Sequence, residues 1–219
     1  MKRIVVLVLL SYGRLFAQFE GVLESNNMTI DQTGLQQRFV TSIWIKDGMA
    51  KITNTAMGST PAVTMIYRAD LKTLWMINDD DSTYFEVAQT DHGGDRPAPA
   101  GPDEKSVVRK TGKTKKVLGY LCEQYMVTHG EGKTEIWGTK SLASLGAALA
   151  AALGSEPGEG SWTDELTALG VFPLQASTRI EGNVVESQEV TKIERRSLPP
   201  EIFEIPRGYA KQSVGDMLK

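Results

Sequence analysis

The chain has one cysteine, Cys122, and two histidines, His92 and His129, in 219 residues. A lone thiol cannot close an internal disulfide and lacks the partner of a redox motif, so Cys122 reads as a small apolar residue on a buried strand. Two histidines leave little for acid-base or metal chemistry. His92 falls in a loop and His129 at a hairpin turn, roughly 20 Å from Cys122 if the strand between them is extended. We therefore expect no enzyme, no catalytic residues, no metal and no cofactor. There is no large excess of either charge: 24 basic side chains stand against 27 acidic ones, net −3. That balance argues against a nucleic-acid partner or a polybasic membrane patch. No later run approaches the ~20 apolar residues of a spanning helix, so no transmembrane anchor is expected.

The apolar fraction is 41%, enough for a real core in one β-rich domain. At the start, Lys2 and Arg3 precede the apolar run 4–10, and Ala17 offers a small residue before Gln18. Basic start, apolar run and small residue come in the order of a secretory signal. The expected division is a signal peptide at 1–17 and a single domain at 18–219, exported to a periplasmic or extracellular place. With no cysteine beside the cleavage point, the sequence offers no lipid anchor.

Alternation with period two marks the strands. Residues 19–24 open the domain. In 37–45, Phe39, Thr41, Ile43 and Ile45 point one way and Arg38, Val40, Ser42 and Trp44 the other. Asp47-Gly48 then supplies a tight reversal into 49–54. Strands follow at 63–68, 72–78 and 83–88. The hairpin within 113–137, with a continuous strand that carries Leu118, Tyr120, Cys122, Gln124 and Met126 on one face and Val117, Gly119, Leu121, Glu123, Tyr125 and Val127 on the other, and a turn at 130–132, reads as the centre of an antiparallel sheet. Later strands are expected at 174–180 and 184–195, with a bulge near Ser187-Gln188, and 201–209 as a docked edge segment.

Several patterns suggest chemistry and fall short of it. Asp79, Asp80 and Asp81 lack the spaced ligands of a calcium loop and read as a turn. His92, Asp91 and Asp95 lie in the proline- and glycine-rich loop 89–105, which gives three ligands no reason to converge. Thr111-Gly112-Lys113-Thr114 has Val107 where a phosphate loop needs glycine, and it leads into a strand. Lys113, Lys115 and Lys116 read as edge charges that discourage aggregation.

The period changes at 142. Leu142, Leu145, Leu149 and Leu153 line one side of a helix whose other positions are nearly all alanine, so a buried helix against the sheet is expected. A second, shorter helix over 162–169 carries Trp162, Leu166 and Leu169. Together they form a helical insertion at 141–169, giving a β-rich α+β fold, a curved antiparallel sheet or unclosed β-barrel, in which the first helix either simply covers the sheet as core or sits in its concavity as one wall of an apolar cavity.

Phe19-Glu20-Gly21, the tract from Thr111 through Gly119-Tyr120-Leu121-Cys122-Glu123-Gln124-Tyr125, Trp137, Phe172-Pro173-Leu174 and the closing Phe203-Glu204-Ile205-Pro206-Arg207-Gly208-Tyr209 occur in an order that resembles the secreted family DUF4412. That family is similar in kind to the periplasmic lipoprotein carriers of the LolA/LolB type. The resemblance implies an unclosed β-barrel wrapped around helices, no catalytic residues, and entry of a lipid or acyl chain between sheet and helices. It makes Phe39, Trp44, Met65, Trp75, Tyr120, Leu145, Leu149 and Trp162 candidate lining residues, against their reading as ordinary core. The expected function is binding of a lipid or other apolar ligand. The competing reading is an envelope scaffold that holds a partner protein through a sheet edge or the loop 89–105.

Overall fold

The computed structural model describes residues 19–31, 33–57, 61–88, 107–129, 132–153 and 162–213. The expected signal peptide, the loop 89–105 with His92, Asp91 and Asp95, and the turn residues Gly130 and Glu131 lie outside them.

Twelve strands form one sheet: Gly21–Ile30 (β1), Gln36–Lys46 (β2), Met49–Ala56 (β3), Pro61–Arg68 (β4), Thr73–Asn78 (β5), Thr83–Ala88 (β6), Val107–Val117 (β7), Tyr120–His129 (β8), Gly132–Thr139 (β9), Phe172–Ile180 (β10), Asn183–Arg195 (β11) and Ala210–Gln212 (β12). Their order is β12-β6-β5-β4-β3-β2-β1-β11-β10-β9-β8-β7. Every pairing is antiparallel except the short β12 on β6. The two edges do not meet, so the sheet is unclosed. A 3-10 turn, Lys140–Leu142, and two helices, Ala143–Leu153 (α1) and Trp162–Ala168 (α2), form the insertion between β9 and β10.

The sheet must curl. α1 touches β2, β3 and β4 and also β10, although five inter-strand steps separate β4 from β10. Those strands lie about 24 Å apart along the sheet, and α1, about 16 Å long, crosses most of that width. A twisted open sheet of twelve strands curls, and α1 lies against its concave face. Leu142, Leu145 and Ala148 drive the docking, packing with Leu23, Ile45, Phe172, Leu174 and Val190. Ala143, Ser144 and Ala147 are exposed, so α1 is buried on one face only. An unclosed sheet has no wall to cover the other. α2 contributes Leu166 to a separate cluster with Tyr125, Val127, Ile136 and Val171.

Three expectations change. The 113–137 hairpin is not central: β8 and β9 lie beside the edge strand β7, and the middle is β2-β1-β11. β7 was hidden because its lysines and threonines carry almost no alternation. It meets β8 through Leu118-Gly119, both at positive φ (50° and 83°), where the sequence pattern alone suggested a continuous strand. The irregularities in β11 fall not at Ser187-Gln188 but at Thr191, extra in the pairing with β1, and at Val185, extra against β10. Both restore a single buried face.

The C-terminal segment also differs. Pro200–Phe203 forms a 3-10 turn that covers the convex side instead of extending an edge. Leu198 and Phe203 pack there with Val22, Ile66, Trp75 and Ile77. Arg68 holds this segment with hydrogen bonds to the Phe203 carbonyl (3.3 Å) and Glu204 (2.6 Å), while its other nitrogens grip Asp70 at 2.8 Å each. β1 is therefore covered on both sides, and its neighbours Val22 and Leu23 are each 2% exposed to solvent, on opposite faces.

Candidate functional site

Register turns the alternation of each strand into rows across the concave face. One row runs Leu23, Ile43, Ile52, Met65, Met76, Phe85. The next runs Ile45, Ala50, Tyr67, Leu74, Val87. Both are apolar apart from the Tyr67 hydroxyl, which donates to the Met65 sulfur at 3.7 Å. The row on the far side of Leu23 is different in kind: Ser25, Thr41 and Asn54 stand opposite one another, and Asn27 lies beside them, opposite Phe39.

These four polar residues form a directed ladder. The Asn27 Nδ2 group donates to Ser25 Oγ (3.2 Å), to the Ser25 carbonyl (3.3 Å) and to Thr41 Oγ1 (2.9 Å). Thr41 Oγ1 passes its own proton to Asn54 Oδ1 at 2.7 Å. Each bond fixes the next, which leaves the Asn54 amide nitrogen and the Asn27 carbonyl oxygen directed away from the ladder. Asn27, Thr41, Asn54 and Phe39 are half-buried and Ser25 is buried. On the same face, by alternation from Phe85, Thr83 buries a hydroxyl with no hydrogen-bond partner among the described residues.

No described position of the rows facing α1 from β1 to β6 is Asp, Glu, Lys or Arg. The charged residues of these strands, Glu24, Arg38, Lys46, Lys51, Arg68 and Glu86, all have the opposite parity. From β1 to β6 this face is thus apolar beneath α1 and, beyond it, a mixture of polar and apolar side chains without described charge.

The eight expected lining residues divide between the two sides. Phe39 and Met65 are on the concave face, Met65 packing against Ala50, Ile52 and Tyr67. Tyr120, Leu145 and Leu149 belong to the cluster around α1. Leu145 is 0% exposed and acts as core, whereas Leu149 is half-buried. Trp44 and Trp75 do not line this concavity. They pack on the convex side beneath the C-terminal segment, with Lys51 over the Trp44 ring (5.8 Å) and Arg68 over that of Trp75 (5.6 Å). Trp75 Nε1 also donates to Glu86 at 3.1 Å. The reason is parity: Trp44 follows Ile43 and precedes Ile45, both inward, so it must face outward. The Trp162 side chain lies outside the described residues, as does that of His129.

The family match spans residues 19–209. The chain belongs to DUF4412, a domain of unknown function. No curated protein matches the chain by sequence. Among solved structures, an uncharacterised conserved protein from Thermus thermophilus aligns over 89% of this chain and 91% of its own, at 10% identity and a TM-score of 0.51. A LolA superfamily protein from Nitrosomonas europaea aligns over 86% of this chain and 91% of its own, at 11% identity and a TM-score of 0.38. A DUF1329 family protein from Desulfovibrio piger covers the same shares at 11% identity and a TM-score of 0.34.

In this DUF4412 chain, many of the residues that carry the resemblance build the fold. Phe19 and Phe203 are each 0% exposed, one at either end of the matched segment. Gly119 makes the β7–β8 turn. Cys122 is also 0% exposed, and burial pushes its thiol above the ordinary range, so it is held as a neutral core group.

A second feature escaped the sequence reading. Beside β7, Trp137 stacks under Lys115 Nζ at 4.3 Å and donates from Nε1 to Glu135 at 2.7 Å. With Gln175, Ser177 and Glu189 they line a shallow open groove. Trp137 and Ala176 share its lining with polar and charged side chains, and Gln175 already bonds Glu189 across it at 2.7 Å. Nothing in the strand alternation distinguished it, because it depends on β9, β10 and β11 meeting in register.

Proposed function

We propose that this DUF4412 protein is exported and acts by binding, holding a lipid or other apolar molecule between α1 and the concave sheet. The observation that carries the reading is the face towards α1, uncharged from β1 to β6 and lined with half-buried apolar side chains such as Met65 and Leu149, with Phe39 further out beside Asn27. Apolar walls with a few placed polar groups are the usual composition of a small-molecule site. The buried, neutral Cys122 gives no nucleophile to compete with this reading. Export is supported by Lys2 and Arg3, the apolar run after them and Ala17.

The test is native mass spectrometry of the mature protein purified from its own envelope, followed by extraction of anything bound. The expected result is a reproducible apolar adduct that disappears on Leu149→Asp while circular dichroism stays native. A clean apo mass under conditions that preserve a known lipid-carrier complex would overturn the reading and favour a protein partner.

A further inference from the structure

Resting on that reading, we infer that the molecule held in the concavity is an uncharged amphiphile whose hydroxyl or ester oxygens meet the Asn27–Thr41–Asn54 ladder. The apolar rows beneath α1 suit a hydrocarbon tail. Beyond them Ser25, Thr41 and Asn54 bring polar groups onto three adjacent strands, Phe39 and Ala56 follow beside Asn27, and no described position of this face from β1 to β6 is ionisable. A carboxylate or phosphate lodged there would lose water with no opposite charge to replace it, a cost that a hydroxyl or ester largely escapes. The ladder supplies what a neutral head needs. The Asn54 amide N–H groups are left over for an acceptor oxygen, and the Asn27 carbonyl is left over for a hydroxyl. Their orientation is held by the bonds at 2.9 and 2.7 Å through Thr41. Pre-oriented donors and acceptors on strands lose little freedom on binding.

The experiment compares two probes with the same acyl chain, monooleoylglycerol and oleate, titrated against the full mature chain at pH 8, where oleate is ionised. Monooleoylglycerol is expected to bind at least about tenfold more tightly. Thr41→Val keeps the side-chain shape and cuts the ladder. It is expected to weaken monooleoylglycerol about tenfold while leaving oleate unchanged, with thermal unfolding confirming the fold. Asn54→Leu, which removes the terminal donors, should give the same selective loss. Equal affinity for both probes, or unaltered monooleoylglycerol binding in both variants, would overturn this inference and leave the apolar cavity standing. Failure of both probes to bind would overturn the two readings together.

Discussion

Gly21, at the start of the central strand β1, has no room for a side chain. Its φ is +155°, and a Cβ built there would overlap the Glu194 carbonyl oxygen of β11. The β1–β11 contact is the middle of the sheet, so the overlap cannot be relieved by moving an edge. Gly21→Ala is expected to cost about 1–3 kcal/mol in urea unfolding, and the same change at Gly182, where nothing lies within 4 Å, serves as the comparison for positive φ alone. Cys122 makes the opposite kind of prediction. Buried, neutral and packed beside Val117 and Leu174, it should react with iodoacetamide about a hundredfold or more slowly in the folded protein than in denaturant at neutral pH. Rapid native alkylation would mean that the β7–β8 hairpin opens readily.

At the scale of elements, the C-terminal segment acts as a clasp. Phe203 is fully buried between Leu198 and the convex sheet, and Arg68 fastens the chain just beyond it. Phe203→Ala is expected to cost about 3–5 kcal/mol and to shift tryptophan emission to the red, since Trp44 and Trp75 lie beneath the segment. Arg68→Gln should give a smaller loss, because its carboxylate partners are about half exposed and such pairs contribute little in water. The elements themselves were legible to very different degrees. β2, β3, β5 and β6 announce themselves by alternation and by Asp47-Gly48, and α1 by its leucine spacing. β7 did not, because an edge strand with both faces wet has no reason to alternate. β11 was legible as a strand, yet its irregularities depend on two different partners, and neither can be read from β11 alone.

For the whole molecule, stability depends on pH at both ends. Tyr125, 4% exposed, is raised to about 12 by burial, with a further contribution from its hydrogen bond to Glu123. A phenol that ionises less readily folded than unfolded contributes stability below pH 10 and loses it as pH rises from 10 to about 12. Tyr125→Phe should flatten the fall in denaturation midpoint across that window. At the acid end, hydrogen bonding from Arg68 lowers Asp70, and hydrogen bonding from Lys211 lowers Glu86. Their contribution is present above the ordinary carboxylate range and disappears as pH falls through their lowered values. Both are surface groups, so the acid slope should weaken as salt is added.

The chain's own order of residues determined the class of fold, most of its strands, the apolar helix and the identity of the side chains on either parity of each strand. Those follow from local periodicity, which needs no partner to be read. Only the tertiary structure decided which parity faces α1. Both sides of the central strands are apolar, Leu23 and Ile43 on one and Val22 and Trp44 on the other, and no local signal ranks them. The choice was made by α1 entering one side and the C-terminal clasp covering the other, through contacts between residues far apart in the chain. Strand register then aligned Asn27, Thr41 and Asn54, from three consecutive strands, into one ladder, because hydrogen bonds between strands are set by register and not by the alternation within any one of them.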